Sequence, residues 1–71
     1  MDDRLTYGSI IQLKTSIQKY QNTYFFIDKV SPTYMLLISN ERLKEETILY
    51  DVQTDKWKDM DGTYIDEIIL V

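Results

Sequence analysis

The chain contains no cysteine and no histidine. Without cysteine there is no disulfide framework and no thiolate metal site. Without histidine, the usual general base near neutral pH and the commonest metal ligand are both missing. A Ser-His-Asp or Cys-His arrangement is therefore excluded within this chain. Glycine and proline are scarce, with two Gly and one Pro. That composition is not a linker or a low-complexity segment. Gly8 and Gly62 stand far apart, so no glycine-rich phosphate loop is available. No apolar run approaches the ~18 residues of a membrane-spanning helix. The opening Met1-Asp2-Asp3-Arg4 lacks the apolar stretch of a secretory signal. The expectation is an intracellular chain with no membrane association; cytoplasm, nucleus and virion are not separated.

What remains is a chain of 71 residues, 44% hydrophobic and 28% charged, which is ordinary globular composition for one small domain. Aromatics make up 13%, with six Tyr, two Phe and one Trp, a concentrated source of core area. The net charge is −4 and is uneven. Residues 1–40 carry four cations against three acids, and residues 41–71 carry four cations against nine acids. There is no basic cluster of the kind that neutralises phosphates. Nucleic-acid binding is thus disfavoured, though Lys14, Lys19 and Lys29, with Tyr20 and Phe26 for stacking, keep it as the second expectation.

Hydrophobic periodicity reads as strands. After a polar lead-in at residues 1–7, residues 9–14 form a short β-branched run. Residues 23–30 are dense in aromatic and β-branched types, the strongest strand signal. Ser31-Pro32-Thr33 breaks this run before the strand at residues 34–39, which makes the best hairpin. Residues 47–52 and 63–71 supply two more strands, separated by turn residues and an irregular acidic stretch around Trp57. Five short strands with no convincing helix predict an all-β domain over residues 8–71, closed as a small barrel. The expected core is Ile11, Leu13, Phe25, Ile27, Leu37, Ile48, Tyr50, Ile65 and Ile68. Phe25-Phe26 and Leu36-Leu37 are adjacent apolar pairs, so one member of each requires a bulge, a covered second face or an exposed position.

Gly8-Ser9-Ile10-Ile11-Gln12-Leu13, followed by Tyr24-Phe25-Phe26-Ile27-Asp28-Lys29-Val30 and Tyr34-Met35-Leu36-Leu37-Ile38, resembles the start of a small SH3-like or Tudor-like barrel. The same stretch is similar to modules near the start of proteins of large DNA viruses. The resemblance covers residues 8–39 and rests on strand grammar. It implies a five-stranded binding barrel, often joined to other domains, that takes peptides, modified lysines or arginines, nucleic acid or a neighbouring domain. Fold alone does not choose among these.

Tudor-like modules hold methylated cations between aromatic walls beside an acid, by cation–π attraction. Tyr24, Phe26, Tyr34, Tyr50, Trp57 and Tyr64 are the available walls, with Asp28 or Asp51 as the acid. Strand alternation puts Tyr24, Phe26 and Asp28 on one face if Phe25 points inward. The competing use of these rings is core and cross-strand packing, and it is preferred. Trp57, between Lys56 and Lys58, is either a partner hot spot or a plug for the barrel end. Asp55, Asp59 and Asp61 superficially resemble a calcium loop, but the sixth position is Met60 and the third Trp57, so a solvated acidic face is expected. The chain ends on Ile68-Ile69-Leu70-Val71, which suits a strand tied into a sheet or a domain of a longer protein. These readings converge on a non-catalytic protein-interaction module without cofactor or metal. Its candidate partner-binding residues are Tyr24, Phe26, Asp28, Tyr34 and Trp57.

Overall fold

In the computed structural model, which describes residues 4–41 and 43–71, six strands form one antiparallel sheet. They are β1 (Ile10–Lys14), β2 (Phe25–Val30), β3 (Tyr34–Ser39), β4 (Glu45–Asp51), β5 (Lys56–Lys58) and β6 (Glu67–Leu70). A single 3-10 turn, Gln18–Tyr20, lies between β1 and β2. The spatial order is β5-β4-β3-β2-β1-β6, and the sheet curls into a half-barrel. The all-β class is as expected, but there are six strands and not five. The additional strand is β5, which lies in the irregular acidic stretch around Trp57. Three residues flanked by charge give no periodicity to read, and it exists because a tight turn returns the chain onto β4, pairing Tyr50 with Trp57. Asp55 takes φ 58 in that turn, and its carboxylate accepts the Tyr50 hydroxyl.

The β2–β3 hairpin forms where Ser31-Pro32-Thr33 placed it. The Ser31 amide donates to the Tyr34 carbonyl at 2.9 Å. The Ser31 hydroxyl oxygen accepts from the amides of Thr33 and Tyr34. Ile27 pairs with Leu37 but Lys29 pairs with Leu36, so Asp28 is one extra residue, a bulge that bends β2 and sharpens its twist.

The concave face holds the core: Ile11, Leu13, Phe25, Ile27, Met35, Leu37 and Ile48 from the strands, closed by Leu5, Tyr20 and Ile65. Tyr50 and Ile68, expected here, are only half-buried. They lie where the sheet fails to close. Leu5 was counted in the polar lead-in and is instead 7% exposed, because the open side of a half-barrel needs an apolar plug. Residues 1–3 of that lead-in, and Arg42, lie outside the described residues. Tyr20, taken above as a stacking surface, is 2% exposed and meets Phe25 edge-on with ring centroids 5.5 Å apart. Burial, then the negative charges of Glu46, Asp59 and Asp61, push its hydroxyl up to about 12.

One member of the acidic set is also not on a solvated face. Asp59 is 5% exposed. Its carboxylate accepts the amides of Asp61 and Thr63 at 3.0 and 2.8 Å, folding residues 59–63 into a loop. Gly62 sits there at φ 91, a backbone position where any side chain is strained.

Candidate functional site

The outer face of the sheet carries the larger concavity. Register sets Ile10 opposite Phe26, and Phe26 opposite Ile38. Directly opposed residues project from the same face. Their chain neighbours Ile11, Phe25, Ile27 and Leu37 fill the core, so this row points outward. Tyr24, two residues before Phe26, follows to the same side. With Leu43 these residues line a groove of about 450 Å³ whose walls are almost wholly apolar.

The groove has a defined rim. The Asn40 amide donates to the Tyr24 carbonyl at 3.1 Å, and the Tyr24 amide donates to Asn40 Oδ1 at 3.3 Å. This pair ties the entry to β2 onto the loop after β3. The Leu43 amide donates to the Ser39 carbonyl, and Leu43 takes φ 52. That geometry lifts its side chain to 80% exposure. Tyr7 stands edge-on to Phe26, with centroids 5.4 Å apart at 85°.

A second concavity lies at the seam between β5 and the β6 end of the sheet. It measures about 320 Å³ and is lined by Tyr50, Trp57, Ile68 and charged residues. Tyr50 and Trp57 are tilted 58° with centroids 5.2 Å apart. The Tyr64 hydroxyl donates to Asp51 at 3.0 Å and, ahead of smaller contributions from Gln53, Thr54 and Lys58, holds that carboxyl below its ordinary range. Tyr50 is shifted up by its bond to Asp55.

The candidate residues therefore do not form one cluster. Tyr24 and Phe26 meet in the outer groove. Asp28 sits at the bulge and does not line it. Tyr34 lies by the β2–β3 turn, with the Lys29 ammonium 5.6 Å from its ring centroid. Trp57 packs partly on the core and partly lines the seam pocket. Sequence reasoning missed Ile10, Ile38 and Leu43. Two of these carried a signal: Ile10 adjoins Ile11 and Ile38 adjoins Leu37, and period-two alternation forces the spare member of each pair outward.

Among the described residues, no group of three or more Asp and Glu is placed to hold a metal ion. No described helix is long and apolar enough to cross a membrane. Comparison with protein-family models, curated proteins and solved structures finds no match to this chain.

Proposed function

We propose that this chain is a non-catalytic interaction module whose outer groove grips an apolar side chain of a protein partner or neighbouring domain. The observation that carries this is the row Ile10–Phe26–Ile38, extended by Tyr24 and Leu43 into an apolar groove on the outside of a sheet whose own core is already filled. A contiguous apolar concavity on a small domain is the usual mark of a docking surface. Such sites draw their binding energy from a few aromatic anchors, here Tyr24 and Phe26. The groove walls hold no carboxylate or ammonium group, which suits an apolar partner side chain.

The fold reading that accompanies this is an SH3-like or Tudor-like barrel, of the kind resembled by residues 8–39. Its support is the curled meander whose last strand returns to pair with the first. An intracellular setting and attachment to a larger assembly belong to the same reading. Nucleic acid is the weaker alternative. Lys19 is paired to Glu46 at 3.7 Å, Lys29 lies over Tyr34, and Tyr20 is buried and so is not a stacking surface.

Placing a photo-crosslinking residue at Leu43 tests the reading in cells that make the protein. The expected product is a crosslinked polypeptide that disappears when Tyr24→Ser is added. Crosslinks to nucleic acid, or none above a control probe at exposed Asp61, would overturn it.

A further inference from the structure

Among the described residues, the backbones at the two ends of the sheet join at one place. The Trp57 carbonyl accepts the Ile65 amide at 2.7 Å, beside a single bridge between Lys58 and Tyr64. Beyond Ile65 the chain leaves β5, and β6 pairs with β1 alone, so its other edge has no strand partner among the described residues. Register identifies the groups along that edge. The Val71 amide donates to the Ile10 carbonyl, which fixes alternate residues of β6 toward β1. The amides and carbonyls of Ile68 and Leu70 therefore point the other way. Natural sheets blunt such edges with charge, proline or a covering element. Here Ile68 and Leu70 are uncharged, and the space beside Ile68 is the seam pocket.

The pocket's chemistry names an occupant. Three carboxylates, Asp55, Asp66 and Glu67, face one ammonium, Lys56, which is drawn toward Tyr64 with 6.0 Å between its nitrogen and the ring centroid. Asp55 is engaged by Tyr50. Asp66 and Glu67 are exposed, and their carboxylates have no ion-pair partner among the described residues. Trp57 offers the aromatic wall that best attracts a cation.

We infer that the seam binds an extended basic peptide, which adds as a strand to the free edge of β6 and sets a lysine or arginine side chain among Trp57, Asp66 and Glu67. Backbone pairing supplies affinity and the acidic aromatic pocket supplies preference, the division of labour in strand addition. A second copy of this chain fits poorly, because β6 carries no lysine or arginine to set into the acidic pocket. The site is separate from the outer groove and does not depend on the role proposed for it.

Trp57 is the sole tryptophan, so its emission reports on the seam directly. The probe is a short acetylated peptide of alternating lysine and valine. A saturable change in Trp57 emission is expected, together with slowed amide exchange at Ile68 and Leu70. Methylating the peptide's alternate backbone nitrogens should abolish binding for one set and spare the other, since only one edge meets β6. The double reversal Asp66→Lys with Glu67→Lys should weaken binding roughly tenfold, with the fold checked by unchanged β2–β3 amide shifts. Leu43→Ser should leave this binding intact, which separates failure here from failure of the groove. Equal binding of a glutamate–valine peptide, insensitivity to both methylated sets, or no binding at millimolar peptide would each overturn the inference.

Discussion

The β2–β3 region and the β5–β6 seam are held together by different means. The first is a long ladder, interrupted by the Asp28 bulge, with Phe25, Ile27, Met35 and Leu37 packed beneath it. Its outward apolar residues are surplus to the core. The second is held by individual polar bonds. Thr15 Oγ1 donates to the Tyr64 carbonyl at 3.2 Å, the Ile65 amide reaches Trp57, and the Asp59 carboxylate gathers its loop. One region tolerates loss of a surface residue because its stability lies underneath. The other has a shorter backbone pairing and relies more on single polar bonds, and so is the place where the domain is expected to open locally.

The largest effect that tests this contrast is Phe25→Ala, which removes the ring beneath the ladder and is expected to destabilise the whole domain by about 3–5 kcal/mol, read from the denaturant midpoint. Next is Asp59→Ala. It strands the Asp61 and Thr63 amides and is expected to cost about 1–3 kcal/mol. Accelerated hydrogen exchange should then appear at Ile65 while β2 and β3 stay protected. Uniform acceleration across both regions would break the distinction between them. Thr15→Val should act in the same place and more weakly, at about 1 kcal/mol. At the outer groove Tyr24→Ser should leave stability within about 0.5 kcal/mol while removing the product crosslinked from the probe at Leu43.

Titration sharpens the contrast from the core side. Tyr20 ionises in the folded protein at about 12, against an ordinary 10.0. The neutral phenol is the form that the fold favours. Its contribution to stability is complete below pH 10 and fades as pH rises toward 12. Stability should fall across that window in the native protein and fall less steeply in Tyr20→Phe, measured by urea denaturation at each pH.

Legibility of the sequence follows the same division. Strands β1 to β4 carry period-two patterns or a proline-marked turn, and local rules place them well. Strand β5 has three residues, two of them lysine, and exists only because β4 is there to receive it. The buried roles of Leu5 and Tyr20 were hidden because each is a lone apolar residue in a polar stretch, called inward by the open side of the half-barrel. Met35 was readable, since it stands two before Leu37 on the same face, but Leu36 beside it obscured the alternation. The groove emerged from pairs of adjacent apolar residues. The grouping of Tyr50 and Trp57 required knowledge of a strand that the pattern does not announce.

The pairing of β1 with β6 carries a consequence for the order of folding. Its register joins Ile11 to Leu70 across almost the entire chain, whereas β2, β3 and β4 meet through short turns. Closing so large a loop costs entropy before any contact compensates it. The central meander is therefore the expected nucleus, and β1 is expected to await β6. Substitutions at Leu37 should slow folding, and substitutions at Ile69 should chiefly speed unfolding, in a stopped-flow comparison. The strand that completes the sheet is then the last to be acquired and the first to be released.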